Sequence, residues 1–95
     1  MTKLEDYVLE GNLDDFKAQL LEGITEIPAY CVEIMKRAFG KDYSISPVLS
    51  CALSDMYEKA INDLLKEGKI IASYNFKDNE MKITVFSTSY ARAKQ

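Results

Sequence analysis

The 95-residue sequence predicts a single α+β domain that is mostly helical and ends in a C-terminal β-hairpin. Three observations predict this class. All four glycines follow segments with helical apolar spacing, apolar pairs from position 48 to 65 recur every four residues, and the two runs after Gly68 alternate apolar and polar residues. A hydrophobic content of 47% is enough to build a core without metals. We divide the domain into a helical extension (1–24), a central unit (25–88) and a polar tail (89–95).

Two short helices are predicted at the N-terminus. The first has apolar residues at positions 4, 7 and 8 and ends at Gly11. Asn12 is a suitable N-cap for the second helix, which has Asp14 and Asp15 in its first turn, where acids favour the helix dipole. Gly23 ends this helix, whose apolar face consists of Leu13, Phe16, Leu20 and Leu21.

A third helix is predicted to begin after Thr25 or Glu26, with Pro28 in its first turn, and to end at Gly40. Residues 43–45 are too few for a helix and predict a short strand. The apolar stripe of the third helix consists of Ile27, Tyr30, Cys31, Ile34, Met35, Ala38 and Phe39.

Ser46 and Pro47 mark the next helix start, with serine as N-cap and proline at the first helical position. Four residues turn a helix by about 400°, so the four-residue spacing makes the apolar stripe drift by about 40° per step. Because this drift would carry the stripe to the opposite side of one straight helix, we predict a break at Ser54–Asp55. The break separates a helix over 47–53 from a helix over 55–67, and one long curved helix is the alternative.

Gly68 is placed as the left-handed residue that ends the last helix, and two antiparallel strands follow. If Asp78–Asn79 is a two-residue turn, opposite residues have numbers that sum to 157. One face of the hairpin is then apolar and the other mostly polar, as a half-buried pair of strands requires. The apolar pairs are Phe76–Met81, Tyr74–Ile83 and Ala72–Val85, and the others are Asn75–Lys82, Ser73–Thr84, Ile71–Phe86 and Lys77–Glu80.

The order helix, short strand, helix, helix and hairpin over residues 27–88 resembles the winged helix-turn-helix. The phrase Leu64-Leu65-Lys66-Glu67-Gly68-Lys69-Ile70 is similar to the end of the recognition helix in bacterial regulators of the MarR and PadR kind, and the charged tip 77–80 resembles their wing tip. The resemblance implies a recognition helix over 55–67 in the major groove and a hairpin wing beside it. It also implies that the two extra N-terminal helices form the contact of a homodimer.

Six residues are the candidate DNA contacts. On the recognition helix, lysine pairs with guanine edges and asparagine with adenine edges, and lysines on the wing contact phosphates. The same helix also exposes four acids, which repel the DNA backbone. The candidate contacts are Lys59, Asn62, Lys66, Lys69, Lys77 and Lys82, and the acids are Asp55, Glu58, Asp63 and Glu67.

The absence of histidine excludes zinc sites of the Cys/His kind, histidine bases and Cys–His nucleophiles. Cys31 and Cys51 each stand among apolar residues at helical spacing, which predicts buried free thiols. No catalytic motif is present, so we expect neither an enzyme nor a cofactor or metal. No apolar run reaches the roughly 20 residues of a membrane span, and no signal peptide precedes the domain, so we expect a cytoplasmic protein.

Two functions remain open at this point. The first is a small transcription regulator that binds double-stranded DNA as a homodimer. The second is a winged-helix module that docks on a protein partner, such as a phage or mobile-element accessory protein. Residues 1–33 carry a net charge of −6 and residues 34–95 a net charge of +3, which favours either a basic face for a polyanion or head-to-tail packing between copies.

Overall fold

The structure is a computed structural model that describes residues 3–73 and 85–94. In these two ranges, four α-helices precede a small antiparallel sheet. Among the described residues, no helix combines the length and the apolar character needed to cross a bilayer. The elements are α1 (Leu4–Glu10), α2 (Leu13–Glu22), α3 (Cys31–Phe39), a 3₁₀ turn (Pro47–Leu49), α4 (Ser50–Lys66), β1 (Ile70–Ser73) and β2 (Ser89–Arg92).

The core forms around α2, which packs against both α3 and α4. Three aromatic rings join the first three helices, since Phe16 of α2 stacks on Phe39 of α3 at 5.5 Å and Tyr7 of α1 meets Phe39 edge-on at 5.6 Å. Both N-terminal helices therefore bury their apolar faces within this chain. The largest fully buried side chains are Tyr57, Phe16, Leu20, Ile24, Ile34, Ile61 and Leu64.

The N-terminal end of α2 at Asn12 and the C-terminal end of α4 at Gly68 both have the predicted geometry. The Asn12 Oδ1 atom accepts a hydrogen bond from the Asp15 amide at 3.1 Å, which caps α2. Gly68 has a φ of +73°, its amide donates to the Leu65 carbonyl at 3.1 Å, and the Lys69 amide donates to the Leu64 carbonyl at 3.0 Å. These two bonds form a Schellman motif that satisfies the last carbonyls of α4.

The predicted start of α3 is wrong by several residues, because α3 begins at Cys31. The segment before it is extended, and Ala29 exchanges two backbone hydrogen bonds with Tyr90 at 3.0 and 2.9 Å. Pairing with a strand thus outweighs the helical pattern. Two members of the predicted stripe are exposed as a result, Ile27 by 70% and Tyr30 by 53%.

The predicted break at Ser54–Asp55 is also wrong, since α4 runs unbroken from Ser50 to Lys66 after the 3₁₀ turn. The drift of the apolar stripe is relieved differently. All the buried residues of α4 lie between Met56 and Leu64, and Val48 at the start of the segment is 86% exposed. The Ser46 side chain makes no capping bond, and residues 43–45 form no strand.

The strand register differs from the prediction. Ile70, Ile71, Ala72 and Ser73 pair with Arg92, Ala91, Tyr90 and Ser89, so partner numbers sum to 162 instead of 157. The predicted partners Val85 for Ala72 and Phe86 for Ile71 are therefore wrong, as is Thr84 for Ser73. The pairs Phe76–Met81, Tyr74–Ile83, Asn75–Lys82 and Lys77–Glu80 lie outside the described residues.

The second strand comes from residues that we placed in a polar tail. Residues 89–92 form β2, and three of these four residues are buried. Because Tyr90 pairs with Ala29 on one side and Ala72 on the other, β2 lies between β1 and the extended segment before α3. The end of the described chain is thus a central part of the fold.

Candidate interaction surface

The exposed side of α4 is the surface that the sequence singled out. We use the term α4 face for a set of five exposed residues on this side of the helix: Asp55, Glu58, Lys59, Asn62 and Lys66. Their spacings of three and four residues place them along one side of the helix. Tyr57, Ile61 and Leu64 of the same helix are buried, and they fix α4 against the core.

Charge is distributed unevenly along the α4 face. From Val48 to Glu58 the chain contains Asp55 and Glu58 and no lysine or arginine. Lys59, Asn62 and Lys66 follow, and in the described part of the chain no ion pair involves either lysine. The N-terminal half of the surface is therefore acidic, and its basic residues lie only toward the C-terminal end.

The structure places Lys69 in a charge network and not in a free basic patch. Lys69 Nζ lies 3.1 Å from a Glu67 carboxylate oxygen, and Lys17 Nζ donates to the other oxygen at 2.6 Å. Lys17 also lies 3.7 Å from Asp63. Two lysines thus neutralise two acids at the C-terminal end of α4. The remaining predicted contacts, Lys77 and Lys82, lie outside the described residues.

The network shifts the pKa values of its members in opposite directions. The hydrogen bond from Lys17, followed by the one from Lys69, lowers the pKa of the Glu67 carboxyl. The same hydrogen bond to Glu67 raises the pKa of Lys17, against a smaller opposing effect of desolvation. Since the Glu67 pKa is lowered in the fold, the network contributes fully at neutral pH and is lost as acid protonates Glu67. Water screens these exposed charges, so their effect on stability is small.

Apolar exposure extends the surface beyond the α4 face. Val48 and Cys51 are exposed at the start of the α4 segment, so the prediction that Cys51 is buried is wrong. Nothing in the four-residue spacing distinguished these outward positions from inward ones, because the spacing alone does not say which turns meet the core. Cys31 is half-buried, and both thiols are free.

A polar side chain is buried behind α4. The Tyr57 hydroxyl is buried and interacts with the Cys31 thiol, but it makes no well-formed hydrogen bond within the described residues. The Tyr57 ring stacks on Phe86 at 5.4 Å. Burial, followed by the charge that Cys31 would carry, raises the pKa of the Tyr57 hydroxyl far above its usual range. Burial also raises the pKa of the Cys31 thiol. Both groups are therefore neutral at physiological pH, and neither is an activated nucleophile.

The burial of the Tyr57 hydroxyl gives a testable expectation. Tyr57→Phe removes a hydroxyl that makes no well-formed hydrogen bond within the described residues and keeps the ring on Phe86. We expect the free energy of unfolding in urea to stay unchanged or to rise by up to about 1 kcal/mol. Tyr57→Leu serves as the control, because losing the stacked ring should destabilise the fold. A loss of about 1 kcal/mol or more in Tyr57→Phe would show that the hydroxyl is hydrogen-bonded.

Two shallow clefts flank the helices. One, of about 510 Å³, has Glu26, Lys69, Arg92 and Lys94 among its lining residues. Arg92 is committed to structure there, because its Nε atom donates to the Ile24 carbonyl at 2.9 Å and its Nη2 atom donates to the Leu21 carbonyl. The other cleft, of about 520 Å³, lies between Leu4, Phe39 and Tyr43 with charges of both signs at its rim. No group of metal-ligating side chains occurs in the described ranges.

Comparison of the chain with protein-family models, with curated proteins and with solved structures finds no match. The surfaces of the molecule itself are therefore the basis for assigning a function.

Proposed function

We propose that the chain is a winged-helix module that docks on another protein through the α4 face. The observation that carries this proposal is the acidic N-terminal half of that surface, where Asp55 and Glu58 are exposed and the chain from Val48 to Glu58 contains no base. Val48 at the start of the same segment is also exposed. Exposed acids on a segment that also exposes an apolar side chain suit a protein partner that presents basic and apolar residues.

The order of elements supports the winged-helix part of the proposal, with a shift of one element from the sequence-based assignment. The helix, short strand, helix, helix and hairpin of that fold correspond to α2, the extended segment at Ala29, α3, α4 and the β1–β2 pair. The short strand lies beside β2, which makes a three-stranded arrangement. With this assignment α4 is the recognition helix, and α1 is the single extra helix.

Electrostatics argue against DNA as the principal partner of this helix. Recognition helices of this class insert their N-terminal residues into the major groove, where phosphates surround them. In α4 those residues are Ser50, Ser54, Asp55 and Glu58, so two carboxylates would face the phosphate backbone, and the first base along the helix is Lys59. Phosphate neutralisation by lysine and arginine supplies most non-specific DNA affinity, and the first half of α4 contributes none of it.

DNA binding remains a second candidate because of one specific observation. Lys59, Asn62 and Lys66 are exposed in a single row along α4. In this alternative, the row contacts bases and phosphates while the wing lysines Lys69, Lys77 and Lys82 contact the backbone. A double-stranded DNA partner would then engage only the C-terminal half of the helix.

A charge-neutralising double variant separates the two candidates by the sign of its effect. Asp55→Asn combined with Glu58→Gln removes two negative charges at exposed positions and preserves side-chain size. Docking predicts weaker partner binding, whereas DNA binding predicts tighter association because repulsion is relieved. Fluorescence anisotropy with random duplex DNA at low salt measures the association with DNA. If the chain docks on a protein, we expect the wild-type dissociation constant for this DNA to be weaker than about 100 μM, the weak limit of ordinary non-specific DNA binding.

Partner binding is measured with a photo-crosslinking amino acid at Ser54, which lies on the exposed side of α4, and with the same group at Glu10 of α1 as the matched control. Docking predicts a discrete protein adduct from position 54 that decreases in the double variant and is absent from position 10. The proposal fails if position 54 gives no adduct while the chain binds DNA with steep salt dependence. In that case, combining Lys59→Ala with Lys66→Ala should weaken DNA binding about tenfold or more.

A further inference from the structure

A cleft with several cations in its lining lies where the C-terminal end of α2 meets the start of β1 and the end of β2. Its volume of about 510 Å³ falls in the range of small-ligand pockets. The Arg92 amide donates to the Thr25 carbonyl at 2.7 Å, and the Ala93 amide donates to the Lys69 carbonyl at 3.0 Å. Backbone hydrogen bonds therefore hold the walls of the cleft together. The residues that line it are Leu21, Glu26, Lys69, Arg92, Ala93 and Lys94.

Arg92 brings an oriented guanidinium group to this cleft. Its Nε atom donates to the Ile24 carbonyl at 2.9 Å and its Nη2 atom donates to the Leu21 carbonyl. These bonds fix the plane of the group and cover two carbonyl oxygens that would otherwise repel an anion. A guanidinium group has five N–H donors, and within the described residues no hydrogen bond uses Nη1. Arg92 therefore keeps donors for a ligand.

Two lysines line the same cleft. Lys94 is exposed, and in the part of the chain that the structure describes no ion pair involves it. Lys69 contacts one Glu67 carboxylate oxygen at 3.1 Å, and an ammonium group has three N–H donors, so Lys69 also keeps donors. Glu26 is the one carboxylate among the described lining residues, so cations outnumber acids there.

We propose that this cleft binds a small phosphorylated sugar, with its phosphate at Arg92 and Lys94 and a hydroxyl group at Glu26. Phosphate oxygens accept charge-assisted hydrogen bonds from guanidinium and ammonium groups. A carboxylate accepts hydrogen bonds from hydroxyl groups, so Glu26 has a partner in the same ligand. A nucleic-acid backbone suits the cleft less well, because Glu26 would repel its neighbouring phosphates. The proposal is independent of the function assigned to the α4 face, since that face contributes no lining residue.

Ribose 5-phosphate is a suitable probe, because it joins one phosphate to several hydroxyl groups. We expect a dissociation constant on the order of 1 mM, which an efficient ligand of this size reaches. Titration at low salt, followed by two-dimensional amide NMR, measures it. The amide signals of Lys69, Ala93 and Lys94 should shift together and saturate. Ribose and inorganic phosphate, titrated in parallel, should each bind about fivefold more weakly or worse.

Lys94→Gln tests the position of the phosphate. The dissociation constant for ribose 5-phosphate should rise about tenfold, because a hydrogen bond between charged groups is lost. Lys36→Gln is the matched control, since it removes the same charge at an exposed position of α3 outside the cleft and should leave binding unchanged. Wild-type affinity in Lys94→Gln overturns the proposal. Equal weakening in both variants also overturns it, because net charge alone would then explain binding.

Glu26→Gln tests the position of the sugar. The variant removes a charge that repels phosphate, so inorganic phosphate should bind more tightly. The preference for ribose 5-phosphate over inorganic phosphate should fall below about twofold, because an amide oxygen is a weaker acceptor than a carboxylate. A preference that stays at the wild-type value overturns the assignment of Glu26.

Two results with the wild-type chain would overturn the proposal as a whole. The first is no saturable shift of the Lys69, Ala93 and Lys94 amides at about 20 mM ribose 5-phosphate, well above the expected dissociation constant. The second is a random DNA duplex that shifts the same amides more strongly at equal phosphate concentration, because nucleic acid would then be the ligand of the cleft.

Discussion

Replacing Gly23 with alanine should destabilise the fold by about 3 kcal/mol, a large part of the stability of a domain of this size. The backbone at Gly23 has a φ of −86° and a ψ of −6°, which alanine adopts without strain. The expected loss comes from steric overlap of the added methyl group. A Cβ atom at this position would overlap the Ile34 carbonyl oxygen and lie 2.9 Å from both the Cβ atom and the amide nitrogen of Ala38.

These neighbours belong to α3, so the added methyl group would push the end of α2 away from that helix. Backbone atoms give way only if the helices separate, and that separation would also disturb the contacts of Phe16 with Phe39. Urea denaturation monitored by circular dichroism measures the loss. We expect a lower midpoint with little change in the slope, as for a change in stability without a change in unfolded surface.

Gly68→Ala is the matched control for Gly23→Ala. Gly68 has a φ of +73° and open space where a Cβ atom would be, so alanine there is strained but meets no neighbour. The left-handed conformation costs about 1–2 kcal/mol for alanine. A smaller loss at Gly23 than at Gly68 would contradict the close approach of α2 and α3.

Gly23 also shows what the sequence reveals and what it does not. The apolar spacing predicted that α2 ends there, and it does. The reason differs from the usual one, because Gly23 is right-handed and is required by the approach of α3. A helix end is visible in local sequence, whereas the close approach of Ile34 and Ala38, which lie 11 and 15 residues further along the chain, is not.

Signals that act within a few residues were predictable. The Asn12 cap and the left-handed Gly68 depend only on their own turns, and both have the expected geometry. The start of α3 was not predictable in this way. The pattern at Ile27 and Pro28 fits a helix, but the segment instead pairs with Tyr90, which is about sixty residues away in the sequence. The local helix propensity of this segment was overridden by its tertiary contact with β2.

The strand register failed for a related reason. Alternation of apolar and polar residues fixes which side of a strand faces inward, and Ile70 is indeed buried while Ile71 is exposed. It does not fix the partner, because a different loop length allows another register. The α4 face was predictable from helical spacing. The neutralisation of the acids at the C-terminal end of α4 was not predictable, because the lysine that bonds to Glu67 is Lys17 of α2.

Removing the Arg92 side chain should lower the free energy of unfolding by about 2–4 kcal/mol. Arg92 donates from Nε to the Ile24 carbonyl at 2.9 Å and from Nη2 to the Leu21 carbonyl, at the C-terminal end of α2. Two charge-assisted hydrogen bonds and the favourable position near the negative end of the helix dipole are lost together. In a domain of this length, the melting temperature should fall by roughly 10–20 °C.

The geometry of Arg92 also predicts which replacements fail. Arg92→Lys keeps the positive charge but does not bond both carbonyls through a planar fork, so we expect it to recover less than half of the loss. Lys94→Ala removes an exposed cation from the same cleft and should change the melting temperature by a degree or two at most. Full recovery in Arg92→Lys would mean that charge near the helix end is sufficient. A loss below about 1 kcal/mol in Arg92→Ala would mean that water replaces the guanidinium, and that β2 is held to α2 by the backbone bond from the Arg92 amide to the Thr25 carbonyl.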